Sequence, residues 1–230
     1  AQALPLMLIL FLFFPRLPPL WTFKVTEGSG KTGMSDNMSP GDLAKLSQST
    51  ELAFRVEFAD KSTIPPKSQM YWRGLTFSRF DGKTWRPSSL PILADDNAAW
   101  SNYPLPSWAE THIKITQDKP KQYKVILEPT DKVWLYSLSV PFSKTTGVGL
   151  SRDFRLVAQM PVFQRFSYDG MQFKAIALDE NLPQRLREDN LTLPATGNPT
   201  ARKMAQQWRA FYDSDEAYIT AVLAWFRKSP

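Results

Sequence analysis

A hairpin signal in the first half of the chain constrains the fold more than any other feature. An aromatic-rich run extends from Tyr71 to Phe80, Asp81-Gly82 follows, and the chain resumes towards Trp85. Asp-Gly is a favoured pair for a two-residue hairpin loop, because both central positions of such a loop take positive φ. The sequence therefore predicts a strand over 71–80, a turn centred on Asp81-Gly82 and a returning strand.

Short strand patterns occupy most of the chain up to residue 181. Apolar and polar residues alternate over 52–58, and Tyr123, Val125 and Leu127 share one face of a pattern over 123–128. Further strand patterns cover 112–117, 133–138, 145–150, 154–159 and 162–168, and the stretch 168–171 contains a second Asp-Gly turn signal. Many short strands separated by turns predict a mainly β fold, an antiparallel sandwich or a barrel-like domain.

Helix signals lie at the two ends of this β region. Ser39-Pro40 predicts a short N-terminal helix with Ser39 as its cap, ending near residue 47. The polar stretch 182–190 predicts a short helix or turn. Asn198-Pro199 predicts a longer helix capped by Asn198, and a second helix is expected from about Ser214. The aromatic stripes of these two C-terminal helices indicate that they dock on the β domain or on a neighbouring chain.

Composition excludes several kinds of chemistry. The 230 residues include no cysteine and one histidine, His112, so the chain has neither a thiol nucleophile nor a two-histidine metal motif. His112 precedes a strand pattern and is expected at a strand edge. The net charge of +6 is scattered rather than clustered, which disfavours nucleic-acid binding. We predict no metal, no cofactor and no nucleic-acid partner.

The first residues form an apolar segment from Leu4 to Phe14, followed by Pro15, Arg16 and Trp21. Eleven residues are too few to cross a bilayer core, which takes about 20 residues as a helix. Proline ends a helix, and arginine and tryptophan favour the membrane–water interface. The segment is therefore predicted to be the end of a transmembrane helix. The alternative is a buried N-terminal segment of a soluble domain.

Four phrases carry a family resemblance: YWRG, FDG and W over residues 71–85, GMSDNMSPGD over 33–42, LFLFFPRLP over 10–18, and NPTARKMAQQW with AYITAVLAWFRKSP after residue 197. Together they resemble the extracytoplasmic, pre-catalytic region of the bacterial TgpA-like membrane-anchored transglutaminase-like proteins. The resemblance divides the chain into a membrane exit (1–21), a flexible connector (22–38), a β-rich extracytoplasmic domain (39–181), and a linker with the first helices of a transglutaminase-like core (182–230).

The resemblance also implies a function. The chain would be a non-catalytic module at the periplasmic face of the bacterial inner membrane, within a parent that resembles a transglutaminase-like cysteine acyltransferase or protease. Its partners would be the catalytic domain of the same parent, the inner membrane, and a cell-wall or envelope protein as a further candidate. No catalytic residue is carried over from the family, because the chain has no cysteine and His112 does not match the place of the catalytic histidine.

Candidate binding residues come from the aromatic side chains near the hairpin and in the long loop 90–107. Rings stack on sugars or peptides and an arginine pairs with a carboxylate, although a structural role is the competing interpretation. A peptidoglycan- or peptide-binding module that uses this Trp-rich loop is therefore the alternative function. The six candidates are Trp72, Arg73, Trp85, Trp100, Tyr103 and Trp108.

Overall fold

The computed structural model describes residues 35–42, 50–100 and 107–228. The predicted membrane segment, most of the connector, the predicted end of the first helix and Tyr103 lie outside these ranges. Within them, no helix combines the length and the apolar character that a bilayer span requires.

The described part of the chain contains eleven strands. They are β1 (Phe54–Phe58), β2 (Arg79–Phe80), β3 (Trp85–Arg86), β4 (Ile113–Ile115), β5 (Lys121–Leu127), β6 (Trp134–Leu135), β7 (Pro141–Phe142), β8 (Val148–Leu150), β9 (Leu156–Ala158), β10 (Phe166–Gln172) and β11 (Ala175–Leu178). The longer helices are α1 (Ser107–His112), α2 (Gln184–Leu191), α3 (Pro199–Arg209) and α4 (Asp215–Lys228).

All strand pairs are antiparallel. One sheet has the order β1-β5-β10-β7, a second has the order β6-β9-β8, and two smaller sheets pair β11 with β4 and β2 with β3. The prediction of a mainly β fold with C-terminal helices is confirmed. Over the described ranges no sheet closes into a barrel.

One apolar core joins the two larger sheets. Tyr123, Val125 and Leu127 of β5 are at most 2% exposed, as their predicted common face requires, and they belong to the same cluster as Leu135 of β6 and Leu156 of β9. β1 has the half-buried alternation that the sequence predicts. The alternation of apolar and polar residues thus correctly predicted which side chains are buried in strands that have one covered face and one open face.

The predicted second Asp-Gly turn is wrong. Asp169 and Gly170 lie inside β10, where they pair with Lys124 and Tyr123 of β5. A Cβ on Gly170 would lie 2.3 Å from the Tyr123 ring, and the Tyr123 hydroxyl accepts a hydrogen bond from the Leu138 N–H at 3.1 Å. Gly170 is therefore required by a close approach in the sheet rather than by a turn.

The hairpin exists, but its register differs from the prediction. Only Arg79–Phe80 forms its first strand, and residue 73 instead makes an isolated bridge to Ser137. Phe80 pairs with Trp85, and of the two residues in Asp81-Gly82 only Gly82 has a positive φ, at 104°. The Asp81 carboxylate accepts hydrogen bonds from the N–H groups of Lys83 and Thr84 at 3.0 and 2.7 Å. These side-chain hydrogen bonds stabilise a longer turn than the two-residue loop that we expected.

The helices begin close to their predicted positions, but two caps differ. Asn198 precedes α3 with φ 49°, yet its side chain makes no capping hydrogen bond. Ser39 bonds the hydroxyl of Thr84 at 2.9 Å instead of capping, while the Asp42 carboxylate accepts the Ser39 N–H at 3.1 Å. In a capping box the N3 side chain bonds the N-cap backbone and the N-cap side chain bonds the N3 backbone. Here Asp42 makes the first of these bonds, and the Ser39 hydroxyl does not make the other.

The described part of the predicted loop, residues 90–100, is more structured than a simple loop. It contains two short 3-10 turns, Pro91–Leu93 and Asp95–Asn97, and Ala99 bridges to Leu150. His112, predicted at a strand edge, is the last residue of α1, and β4 starts immediately after it.

Candidate functional site

Trp72 contributes to the packing of the β domain. Its half-buried ring meets Phe54 edge-on at 5.3 Å and Tyr123 edge-on at 5.4 Å between centroids. Both partners lie on strands of the four-stranded sheet. The indole therefore covers one end of the apolar core, which is the structural role that competes with ligand binding at this position.

Trp85 stabilises the hairpin and attaches it to residues 35–42, which we call the N-terminal approach. Its ring stacks on Phe80 with centroids 4.7 Å apart and an interplanar angle of 25°. Its backbone N–H donates to the carbonyl oxygen of Met38 at 2.8 Å, and the Met38 N–H donates back at 2.9 Å. Trp85 thus links residues 38–39 to the hairpin.

Trp100 and Trp108 lie on one segment, residues 149–154. Trp100 is 39% exposed, and its ring lies over Gly149, where a Cβ would come within 2.7 Å of it. Trp108 packs on Phe154 at 6.0 Å, and the Arg152 guanidinium lies 5.1 Å from the centre of the Trp108 ring, within cation–π range. Both candidates contact segment 149–154, whereas Trp72 and Trp85 make their ring contacts with other segments.

Arg73 has a fixed backbone and a half-buried side chain. Its N–H and carbonyl oxygen exchange hydrogen bonds with those of Ser137 at 2.8 and 2.9 Å. Burial lowers the pKa of the guanidinium, the positive charge of Arg155 lowers it further, and Asp153 acts in the opposite direction. Within the described ranges the Arg73 guanidinium forms no ion pair. Its positive charge interacts with Asp153 and partly offsets the rise that burial causes in the pKa of Asp179.

Beside Arg73 lies a buried ion network that sequence reasoning missed. The Arg155 side chain is 7% exposed, its Nε donates to Asp153 at 2.6 Å, and its Nη2 donates to Asp95 at 3.1 Å. The hydroxyls of Thr76 and Ser151 also donate to Asp153. Residues 151–155 are thereby tied to two distant stretches of chain. An Arg and an Asp two positions apart give no local signal of such pairing.

The surroundings of Asp153 favour its ionised form. Burial by itself raises the pKa of this carboxyl, but the charge of Arg155 and the hydrogen bonds from Ser151 and Thr76 outweigh burial, so that the pKa is lowered. A carboxylate satisfied in this way stabilises the fold and is poorly suited to act as a general base.

A second polar pair lies where α1 meets β11. His112 Nδ1 lies 3.2 Å from Asp179 Oδ1, and the Asp179 N–H donates to the His112 carbonyl oxygen at 2.9 Å. Burial raises the pKa of Asp179, partly offset by His112 and by Arg73. In the described part of the chain no three His, Asp or Glu side chains converge as a metal site.

The hairpin and the residues just after it contact both the N-terminal approach and the segment that follows the β domain. We call this set of contacts the hairpin joint. On the N-terminal side it consists of the Met38–Trp85 backbone pair and the Ser39–Thr84 hydroxyl pair. On the C-terminal side, Ser88 Oγ donates to Asp189 Oδ2 at 2.6 Å, and Asn198 Nδ2 lies 3.5 Å from the Gly82 carbonyl oxygen. A cleft of about 590 Å³ opens on this side, lined by residues that include Arg79, Arg86, Leu193 and Pro194.

The fold and these contacts define a mainly antiparallel β module. Its hairpin region contacts residues 38–39 before the β domain and residues 189 and 198 after it. Residues 1–172 match the sequence model of the TgpA N-terminal domain family. The chain belongs to this family, and the resemblance drawn from its motifs is confirmed.

Individual relatives agree with this assignment. The whole chain is 38% identical over 229 residues to a protein-glutamine gamma-glutamyltransferase of Pseudomonas aeruginosa (strain PAO1) and spans 32% of its length. The crystal structure of the periplasmic domain of TgpA from Pseudomonas aeruginosa matches with a TM-score of 0.73 at 35% identity, covering 86% of this chain and 63% of that one. The same domain bound to ethylmercury matches with a TM-score of 0.71 at 34% identity, covering 86% and 64%.

Proposed function

We propose that the chain is a non-catalytic extracytoplasmic module of a membrane-anchored transglutaminase-like protein. It positions the catalytic domain of its parent, or the substrate of that domain, above the bacterial inner membrane. Acyl transfer by a thiol requires a cysteine, and the chain contains none. The relative that carries a transferase name is about three times as long as the matched region, since that region is 32% of it. The module therefore assists a reaction performed by other residues.

The hairpin joint is the observation that carries this proposal. Residues 82–88, in the hairpin and just after it, contact residues 38–39 on one side and Asp189 and Asn198 on the other. A catalytic part attached beyond α4 is then held in a defined orientation to the segment that approaches from the membrane. Holding a site in place is how a non-reacting domain contributes to rate, through the geometry that it imposes.

The exposed surface of α3 and α4 also supports a positioning role. Neither helix buries a residue, although Trp208 of α3 and Trp225 of α4 pack edge-on at 5.8 Å. Phe226 of α4 is 66% exposed, and Phe211 in the turn between the two helices is 81% exposed. Apolar helix faces of this kind stabilise a fold when further structure covers them. We assign that covering structure to the remainder of the transglutaminase-like core.

The location follows from the relatives and from the apolar N-terminal segment. The matching crystal structures are of a periplasmic domain, and we extend that location to residues 39–181 of this chain. The membrane segment predicted over 1–21 would then anchor the module to the inner membrane, with its β domain on the periplasmic face.

The test compares the chain with its parent. The purified chain is incubated with a glutamine-containing protein and a fluorescent primary amine, and incorporation of the amine is measured. We expect no incorporation by the chain and measurable incorporation by the parent. In the parent, Ser88→Ala is expected to lower kcat/KM because it weakens the hairpin joint. Turnover by the chain alone contradicts the proposal, as does a Ser88→Ala parent with unchanged kinetics.

A second candidate function rests on Trp100 and Trp108. The Trp100 ring covers Gly149, and the Trp108 ring packs on Phe154 with the Arg152 guanidinium 5.1 Å from its centre, so both rings contact segment 149–154. Aromatic rings of this kind stack on sugars or peptides. Titration of tryptophan fluorescence with peptidoglycan fragments tests it. A saturable change that is lost in both Trp100→Ala and Trp108→Ala supports a binding module, and unchanged binding in these variants removes this surface from consideration.

A further inference from the structure

The turn between β9 and β10 exposes two large apolar side chains. Met160 is 73% exposed and Phe163 is 71% exposed, while Val162 between them is only 5% exposed. Pro161 stiffens the backbone at the tip. We call residues 160–163 the apolar tip.

Hydrogen bonds hold the backbone of the apolar tip in place. The Val162 N–H donates to the Lys132 carbonyl oxygen at 2.9 Å, and the Val162 carbonyl oxygen accepts from the N–H groups of Thr130 and Asp131 at 3.0 and 3.1 Å. The buried Val162 side chain anchors the turn in the core. Met160 and Phe163 are therefore presented outward by a fixed backbone.

The N-terminal approach reaches the same region. Lys132, whose backbone binds Val162, forms an ion pair with Asp36, and Trp134 Nε1 donates to Asp36 Oδ1 at 3.2 Å. Asp36 lies fifteen positions after Trp21, the predicted membrane-interface residue. Fully extended, that length of chain reaches at most ~54 Å. If the N-terminal segment anchors the chain in a bilayer, the apolar tip is tethered near that bilayer.

We infer that the apolar tip is a membrane-contact site that inserts Met160 and Phe163 into the interfacial region of the bilayer. The inference rests on the membrane anchor of the proposed function. Two side chains offer far less area than the ~800 Å² per partner that a stable protein interface buries. A tethered domain needs only a weak second contact with lipid, because the tether supplies a high effective concentration. Arg165, two residues beyond the tip, is paired with Glu128 at 3.1 Å, so the contact with lipid rests on the two apolar side chains.

The absence of cysteine makes a clean test possible, since an introduced thiol is the only site that a thiol-reactive dye labels. The full chain carries an environment-sensitive fluorophore on Gln164→Cys and is bound to phosphatidylethanolamine–phosphatidylglycerol vesicles. We expect a blue shift of emission and loss of fluorescence to a lipid-borne quencher. Both are expected to disappear when Met160→Ser and Phe163→Ser are added.

The controls are labels at two other exposed apolar positions, Tyr71→Cys (74% exposed) and Ile176→Cys (70% exposed). These side chains are as exposed as Met160 and Phe163 but lie elsewhere on the domain. We expect neither a blue shift of emission nor quenching from labels at these two positions. The membrane-contact inference is wrong if the Gln164 label behaves like the controls, or if the double serine change leaves its signal unaltered.

The anchor and the tip can fail separately. Vesicle flotation of the unlabelled chain with Met160→Ser and Phe163→Ser reports on the N-terminal anchor alone. If that variant does not float, the labelled chain is attached instead through an N-terminal histidine tag to nickel-chelating lipid, which supplies a tether that does not depend on the apolar segment. Quenching of the Gln164 label in that arrangement still supports the apolar tip, and its absence overturns it.

Discussion

The ring of Tyr123 occupies the space into which a side chain at position 170 would project. A Cβ at Gly170 would lie 2.3 Å from two ring atoms of Tyr123 and 2.7 Å from its hydroxyl oxygen. The ring cannot easily move away, because Tyr123 is 2% exposed and its hydroxyl accepts the Leu138 N–H. The adjacent strands β5 and β10 therefore depend on the absence of a side chain at this point.

Gly170→Ala should lower the free energy of unfolding by about 1–3 kcal/mol, the usual cost of overpacking a filled core. Urea denaturation measures the change. Gly41→Ala is the matched control, because no heavy atom lies within 4 Å of the position of its Cβ, and it should leave stability unchanged or slightly raised. Equal effects of the two substitutions would contradict this account of Gly170.

Breaking the buried ion network should be more costly than breaking a surface pair. Arg155→Leu leaves the Asp153 carboxylate buried without its main partner, which should cost about 3–5 kcal/mol of unfolding free energy. Arg165→Ala, which breaks an exposed pair with Glu128, should cost only about 0–1 kcal/mol. Thermal and urea unfolding compare the two, and a mild effect of Arg155→Leu would show that water replaces the lost guanidinium.

The stability of the domain should fall in acid because of Asp153. Its native pKa lies below the value of 3.8 expected for the unfolded chain, so its contribution to stability is fully present above pH 3.8. That contribution is lost as the pH falls through the lowered native pKa. Urea midpoints from pH 7 down to pH 2.5 should show this loss in the native sequence and a shallower acid slope in Asp153→Asn. Parallel pH curves for the two proteins would assign acid sensitivity to other carboxyls.

The contact between Ser88 and Asp189 should control the mobility of α2. Ser88→Ala removes a 2.6 Å hydrogen bond, so hydrogen exchange of α2 amides should accelerate while amides of β5 and β10 keep their protection. Ser89→Ala is the matched control, because Ser89 Oγ accepts from Arg79 and does not bind α2. Similar exchange in both variants would mean that the hairpin joint depends on other contacts.

Patterns of neighbouring residues predicted those parts of the fold that depend on neighbouring residues alone, such as the buried face of a strand. The common face of Tyr123, Val125 and Leu127 is visible in sequence because burial on one side of a sheet imposes a period of two. The Asp-Gly pair at 169–170 misled for a related reason: glycine also serves a close approach inside a strand. Nothing near residue 170 in the sequence identifies the Tyr123 ring that requires it.

The candidate site was predictable only in part, because its contacts join distant segments. Trp100 and Trp108 could be placed in one loop, but their common support on residues 149–154 depends on the pairing of Ala99 with Leu150. The pairing of Arg155 with Asp95 spans 60 residues, and no periodicity encodes it. The binding roles of the six candidate residues stay predictions, with Trp72 and Trp85 engaged in packing contacts in the structure.

The hairpin joint has a mechanical consequence. Met38 and Asn198 are 160 positions apart in sequence, yet both contact residues of the 80–88 stretch. A displacement applied at the approach to the domain can pass to the helical end through a few polar contacts, bypassing the β core. Because residues 80–88 contact both segments, movement of one segment relative to the other requires these hydrogen bonds to break or residues 80–88 to move with them.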